Sequence, residues 1–251
     1  MGGLISLGFL LFFFGMPRAS AAVASTTPDC QFKAGLDNLD SIQNNSKLDY
    51  LQKIKAELAI RNKILGEVID CAVLEAGALK EKLGEADVKD AEVSATKLKL
   101  SDEIDWAISF YKNKAKTIPD LGIYGSKSLA GQISEWRASN YSDLVSRVAN
   151  LISWNNSQGA IDLVKKRLDY IKKAFIDLGI TDTKLEKIMQ TAEDNLKKSE
   201  DTNELVRRAI VNSYQVSQQL TMIKDSLEAI AGVYKNFIEI SDILTASSAA
   251  K

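Results

Sequence analysis

The sequence contains no histidine, only two cysteines and only three prolines among its 251 residues. Without histidine, neither a Ser-His-Asp triad nor a Cys-His pair can form. Zinc sites are built from clustered cysteine and histidine, and the di-metal sites of helical bundles use Glu-x-x-His motifs, so both are excluded. We therefore expect a protein that is not an enzyme and that carries no cofactor and no metal.

Other motifs that carry chemistry are equally weak. Residues 122–128 combine glycines with a lysine as a phosphate-binding loop does, but the spacing is wrong and no strand is predicted before them. Paired acids occur in glycosidase sites, yet we expect Asp102, Glu103 and Asp105 to be solvated charges on a helix. The sequence therefore predicts binding rather than catalysis.

An excess of positive charge is also missing. The chain has 32 basic and 33 acidic residues, and Arg18 is the one charged residue among the first 21. Removal of those 21 residues would leave 31 basic and 33 acidic residues, a net charge of −2. Nucleic-acid binding requires a concentrated basic surface, so we expect no nucleic-acid partner.

One long apolar run is present, from Leu4 to Phe14, and Gly15 and Pro17 follow it. The run is shorter than the roughly 20 residues that a membrane-spanning helix needs, and it fits the centre of a secretory signal peptide. We predict a signal peptide at 1–21, with cleavage possible up to residue 24; an uncleaved anchor is the alternative. The mature protein would then be periplasmic, cell-surface or secreted, with no membrane span.

The two cysteines, Cys30 and Cys71, form an even set in a chain that we expect to reach an oxidising compartment, so they predict one disulfide. The bond would tie the N-terminal arm to the first long helix and add about 4 kcal/mol to the free energy of unfolding. The alternative is two unpaired thiols, with Cys71 acting as a small buried side chain.

The apolar residues after the N-terminal arm recur at steps of three and four, which predicts an all-α fold. We expect an elongated antiparallel bundle of four to five long helices with coiled-coil-like packing, plus one short helix. Such a bundle within 46–246 is favoured over a long dimeric rod, and oligomerisation stays open. The predicted segments are an irregular arm at 22–45, helices at 46–83, 86–116, 126–138, 142–178 and 183–244, and a disordered tail at 247–251.

Polar residues predict where the helices begin and break. Ser46, Ser126 and Asp182 are predicted to cap the first, the short and the last helix. The last helix either runs unbroken or breaks near 199–203, where the residues favour caps over helix interiors. The polar stretch 155–159 is a second point at which a helix is expected to kink or open.

Residues 119–141 differ from the rest of the chain because they combine glycines with aromatic residues and an arginine. Irregular connections on rigid scaffolds often carry binding sites, and Trp, Tyr and Arg are the usual interface anchors. The candidate binding residues are therefore Tyr124, Trp136, Arg137 and Tyr141. The alternative is that these aromatic side chains only plug the end of the bundle core.

These patterns predict an exported, non-catalytic helical-bundle protein. It would act as an envelope or extracellular scaffold or adaptor, by contacts with another protein or envelope component. The alternative is an extracytoplasmic protein that binds a small molecule or polymer, or a hydrolase, with a cleft near 119–141. A scaffold should expose an apolar or aromatic stripe, whereas a binder needs a concave pocket with convergent polar groups. Trp106 and Trp154 are expected in the core or at its boundary.

Overall fold

The structure is a computed structural model that describes Cys30 and residues 32–249. These residues are all-helical and contain no strand, as the apolar period predicts. The signal peptide predicted at 1–21 lies outside the described residues. The α-helices are α1 (Lys33–Gln43), α2 (Tyr50–Glu85), α3 (Ala91–Ala115), α4 (Ile123–Trp136), α5 (Ser142–Asp177), α6 (Thr183–Val211) and α7 (Val216–Ala249).

Two short turns of other helical types flank α4. A 3₁₀ turn, Ile118–Asp120, precedes the helix, and a π-helical turn, Arg137–Tyr141, joins its end to α5. Between residues 32 and 249, no helix is long and apolar enough to cross a membrane.

The described chain divides into two compact units, and the division falls within α3 and α5. Unit 1 comprises the described residues up to Glu85 together with Leu98–Ala149; unit 2 comprises Ala86–Lys97 and the described residues from Asn150 onward. The core of unit 1 is formed by α2, α3 and α4. That of unit 2 is formed by α5, α6 and α7. Each unit therefore has a hydrophobic core of its own.

Helix α2 begins at Tyr50, directly after its capping residue Asp49. This residue lies three positions after Ser46, the cap that we predicted. The backbone N–H of Gln52 donates to the Asp49 carboxylate (2.8 Å), and the N–H of Asp49 donates to the Gln52 side chain (3.1 Å). This is the capping-box arrangement, and the prediction of Ser46 as the cap is wrong. The predicted cap at Asp182 is confirmed, since its carboxylate accepts from the N–H of Lys184 at 2.7 Å.

The arm predicted to be irregular at 22–45 contains a helix, α1. Leu39 on this helix is buried, and α1 packs closely on α2: a Cβ on Gly35 would lie 2.8 Å from Cγ1 of Ile64. The 11-residue helix has no side-chain cap, and helices this short are marginal by themselves. The sequence did not predict this helix because packing on α2 stabilises it and no capping residue marks its start.

The segment predicted as one helix at 183–244 is two helices. The break lies between Val211 and Val216, where Ser213 (φ 53°) and Gln215 (φ 54°) take left-handed backbone conformations. No break occurs at 199–203, because the polar side chains there find partners on neighbouring helices. The hydroxyl of Ser199, for example, lies 2.9 Å from that of Ser226.

Three further predicted boundaries differ from the structure. The short helix begins at Ile123, and Ser126 does not cap it; its buried hydroxyl donates to the carbonyl of Ile123 (2.8 Å). Helix α5 continues through 155–159 because Ser157 and its neighbours form hydrogen bonds inside unit 2. Helix α7 extends to Ala249, so 247–249 are helical rather than a disordered tail.

The cysteines lie at disulfide distance, as predicted. Their Cα atoms are 6.1 Å apart, within the range of about 4.4–6.8 Å that disulfides span. Cys71 lies on α2 and Cys30 lies shortly before α1. The pair therefore connects the chain that enters α1 to the helix on which α1 packs.

Candidate functional site

Two of the four candidate binding residues, Trp136 and Tyr141, belong to one aromatic cluster in unit 1, and a third, Arg137, contacts it. The cluster consists of three side chains from α3 and two from the end of α4 and the π turn: Trp106, Phe110, Tyr111, Trp136 and Tyr141. Trp136 lies at its centre, stacked on Phe110 (ring centroids 4.1 Å apart) and edge-on to Tyr111 (5.3 Å). Both geometries are favourable for aromatic pairs.

The π turn positions the last two candidates, Arg137 and Tyr141, against the cluster. Such turns are rare and are found frequently at functional sites. In this one the side chains of Ser139 and Asn140 hydrogen-bond to backbone carbonyls of the preceding turn, Glu135 (2.8 Å) and Trp136 (3.3 Å). The turn brings Tyr141 edge-on to Tyr111, with ring centroids 6.0 Å apart.

Arg137 is occupied by contacts within the protein. Its guanidinium forms an ion pair with Glu75 (Nη2–Oε2 2.5 Å) and donates to the hydroxyl of Tyr111 (3.4 Å). It also lies 5.0 Å from the centroid of the Tyr141 ring. Burial alone would lower the pKa of Arg137. The contacts with Glu75 and Tyr111 raise this pKa by a larger amount, so the net pKa of Arg137 lies above its ordinary value. Arg137 is thus a structural residue that connects α2, α3 and the π turn.

Tyr141 is an interior residue and not a surface contact. Only 1% of it is exposed, and its buried hydroxyl has no hydrogen-bond partner among the described residues. Burial and the charge of Glu75 raise its pKa, more than Arg137 lowers it. Burial likewise raises the pKa of Tyr111. Both phenols therefore stay protonated at neutral pH.

Tyr124 does not join the other three candidates. It is 88% exposed near the start of α4, and none of the ring contacts within the described residues involves it. The sequence window 119–141 therefore combined residues with two different roles. Most of its aromatic side chains pack inside unit 1, as the plug alternative expected.

An open cleft of about 310 Å³ lies beside the cluster, between α3 and the segment formed by the π turn and the start of α5. Trp106 lines this cleft, and 58% of its surface is exposed. Its ring centroid lies 5.5 Å from that of Trp136. The lining residues are Glu103, Trp106, Ala107, Trp136, Ser139, Asn140, Tyr141, Asp143, Leu144 and Arg147.

The exposure of Trp106 corrects the prediction that it lies in the core or at its boundary. The inward positions of α3 include Ile104 and Ala107, both fully buried. Because successive helical residues are rotated by about 100°, Trp106 lies on the flank beside Ala107. Trp154, by contrast, is only 3% exposed in unit 2, and its indole N–H donates to the carbonyl of Asn203 (3.2 Å).

A charged group from α3 and α5 also lines the cleft. Arg147 donates through Nε to Asp143 (2.9 Å) and through Nη1 to Glu103 (3.1 Å), and its Nη2 also pairs with Glu103. The hydrogen bond to Glu103 is the main reason that the pKa of Arg147 is raised. Glu103, expected to be a solvated charge, is therefore held in a fixed position.

Sequence reasoning missed Glu103, Asp143 and Arg147 as site residues. Asp143 and Arg147 are four residues apart on α5, a spacing that predicts a helix ion pair. Nothing in the sequence, however, indicates that Glu103, 44 residues before Arg147, completes the group.

The cleft offers an exposed indole face, hydrogen-bonding side chains and three charges that form ion pairs. No group of three His, Cys, Asp or Glu residues that could hold a metal ion is found within the described part of the chain. The chain matches no protein-family model, no curated protein and no solved structure. The function of the cleft is therefore inferred from the chemistry of the residues that line it.

Proposed function

We propose that the protein is an exported, non-catalytic scaffold or adaptor, and that the cleft of unit 1 contacts another protein or envelope component. The observation that carries this proposal is the position of Trp106. A large aromatic side chain that is more than half exposed lies next to a packed aromatic cluster and a fixed charged group.

The surroundings of Trp106 support an interface anchor. Tryptophan is among the residues enriched at binding hot spots, and protein interfaces combine an apolar centre with a polar rim. Here Trp106 and Trp136 supply the apolar part, and the ion-paired Glu103 and Asp143 supply the polar rim. Since helices and a fixed turn hold these groups, little conformational entropy would be lost on binding.

Export is part of the proposal and rests on two features. The apolar run from Leu4 to Phe14 has the length of a signal peptide core. Cys30 and Cys71 lie at disulfide distance, and disulfides persist mainly in oxidising compartments. The elongated antiparallel bundle with coiled-coil-like packing and any oligomerisation are likewise proposals.

A second candidate function is the binding of a small molecule or polymer in the same cleft. The observation in its favour is the concave shape, with about 310 Å³ of space and hydroxyl, amide and carboxylate groups around it. Ligand sites generally combine an apolar lining with a few polar groups. In the adaptor function, the cleft instead receives one side chain from a larger surface.

Site-specific photo-crosslinking tests the adaptor function. A photoreactive phenylalanine analogue replaces Ser139, an exposed residue that lines the cleft, in one variant and Tyr170 in a control; Tyr170 is an exposed aromatic residue of unit 2. Trp106 stays in place in both variants. The purified variants are irradiated with the envelope fraction of the source cells. We expect one discrete protein adduct from position 139 and none from position 170. Equal labelling at both positions, or no adduct from position 139, would contradict the proposal.

A further inference from the structure

We infer that the cleft receives the side chain of a lysine from the partner protein. This inference rests on the proposed function and adds the chemistry of the contact. The juxtaposition that carries it is an exposed indole, Trp106, in one cleft with the partly exposed carboxylates of Glu103 and Asp143.

The charge of the cleft favours a cation. Two carboxylates and one guanidinium, those of Glu103, Asp143 and Arg147, leave one negative charge. The guanidinium is also the most covered of the three: the Arg147 side chain is 20% exposed, against 44% for Glu103 and 54% for Asp143. A ligand that enters the cleft therefore meets carboxylate before it meets guanidinium. An anionic group would be repelled there.

The remaining hydrogen-bonding capacity suits an ammonium better than a guanidinium. Both oxygens of Glu103 are bound by Arg147, whereas the ion pair with Asp143 uses only Oδ2. An arginine would need two oxygens of one carboxylate to pair in its preferred bidentate manner. A lysine ammonium needs single acceptors, and Oδ1 of Asp143 is such an acceptor.

The aromatic side of the cleft completes the match. A lysine packs its methylene stem on apolar surface while its charge stays near water, and an ammonium within about 6 Å of an aromatic centroid is attracted to the ring face. Unit 1 already contains this contact, since Lys114 Nζ lies 5.5 Å from the ring centroid of Phe110. In the cleft, Trp106 supplies the open aromatic surface.

The test is an NMR titration of the full mature chain, which has three indole N–H signals, from Trp106, Trp136 and Trp154. The probe is Nα-acetyl-lysine methylamide. The norleucine analogue, with an uncharged chain, and the oligosaccharide maltotriose serve as comparison probes. We expect the lysine probe to shift the Trp106 and Trp136 signals in a saturable way while the signal of the buried Trp154 stays in place. The norleucine probe should bind at least about threefold more weakly, by the loss of one ion pair and one cation–π contact.

A charge variant and a matched control sharpen the result. Asp143→Asn should weaken the lysine probe at least about threefold, whereas Asp37→Asn, on the exposed side of α1, should leave the affinity unchanged. An unchanged Trp154 signal would verify that unit 2 is still folded in both variants, and circular dichroism would verify the helix content.

Several outcomes would overturn the lysine inference. They are equal binding of the norleucine probe, no effect of Asp143→Asn, or shifts produced by maltotriose alone, which would mark a saccharide site. If position 139 forms a crosslink to a protein while the lysine probe causes no shift, the adaptor function stands and the lysine inference is wrong. If neither is seen, both are wrong.

Discussion

The two units of this protein solve the problem of buried polar groups differently. Unit 1 surrounds Trp136 with aromatic rings and neutralises its partly buried charged groups in ion pairs, Arg137–Glu75 and Arg147–Glu103. Unit 2 buries polar side chains in an otherwise aliphatic core and pairs them with one another. The comparison shows where each unit has polar groups available for a ligand.

Most of the buried polar side chains of unit 2 are hydrogen-bonded to other groups of the unit; Nδ2 of Asn236 is an exception. Asn203 donates to Ser157 (2.8 Å), Asn150 donates to Gln219 (3.0 Å), and the hydroxyls of Ser199 and Ser226 are 2.9 Å apart. Buried polar pairs of this kind can fix the register of packed helices. The side chains are thus satisfied internally and are not offered to a ligand.

Unit 1, in contrast, leaves aromatic and charged groups partly exposed to solvent. Its cluster leaves one indole more than half exposed, and Glu103 and Asp143 are partly open to solvent although they are ion-paired. An exposed aromatic side chain beside partly solvated carboxylates is a surface on which a partner gains binding energy. We therefore propose that unit 1 serves recognition and that the polar core of unit 2 is mainly structural.

The largest effect is expected from truncation inside the aromatic cluster. Tyr111 is fully buried and contacts Phe110, Trp136 and Tyr141. We expect Tyr111→Ala to lower the free energy of unfolding by about 3–5 kcal/mol, as for other buried aromatic residues. Urea denaturation of the variant measures this. Tyr111→Phe, which removes only the hydroxyl that accepts from Arg137, is the control and should cost about 1 kcal/mol.

Reduction of the cysteine pair should have the next largest effect, and it should act on unit 1, which contains both cysteines. For a separation of 41 residues, loss of a disulfide lowers the free energy of unfolding by up to about 4 kcal/mol. Intact mass should show that the oxidised form is lighter than the reduced form by two hydrogen atoms. On reduction, backbone amide hydrogen exchange should accelerate more in α1 and α2 than in α6 and α7. Two freely alkylated thiols in the oxidised protein would contradict the bond.

A smaller effect is expected in the polar core of unit 2. Ser199→Ala should cost about 1 kcal/mol, because it removes the buried hydrogen bond between the two hydroxyls while the Ser226 hydroxyl keeps its bond to the backbone carbonyl of residue 199 (3.1 Å). The double variant Ser199→Ala, Ser226→Ala should cost less than the sum of the single variants, because both polar groups are removed together. A double-mutant cycle by urea denaturation measures the difference. Strict additivity would show that the two hydroxyls do not act as a pair.

The smallest effect on stability is expected at Trp106. Its ring contacts to Trp136 and Phe110 are tilted, with centroids 5.5 and 6.2 Å apart, and more than half of its surface stays exposed. Trp106→Ala should therefore lower the free energy of unfolding by about 1 kcal/mol, the worth of an aromatic pair. A cost equal to that of Tyr111→Ala would place Trp106 in the core and would remove the distinction between the cluster and its exposed edge.

The apolar period of the sequence was enough to predict the all-α fold, because amphipathic spacing reports directly on helix faces. It was insufficient where tertiary contacts override local signals. Helix α1 depends on packing against α2, and Ser199 stays helical because Ser226 satisfies its hydroxyl. The actual break at 212–215 contains neither glycine nor proline.

The candidate site was predictable only in part, for a related reason. The sequence window 119–141 led to Trp136, Arg137 and Tyr141, which the structure brings together, but it could not show that Tyr141 is buried and that Arg137 is paired with Glu75. The cleft depends on Trp106 and Glu103, which come from α3. Contacts between residues far apart in the chain leave no local pattern.

The central claim is that Trp106 serves recognition while the rest of the aromatic cluster serves stability. The most direct test is the dissociation constant of Trp106→Ala for the partner identified by crosslinking, measured on protein whose unfolding has been shown to resemble that of the unmodified chain. The account predicts a loss of affinity of at least about tenfold, as for an interface anchor. An unchanged dissociation constant would contradict it.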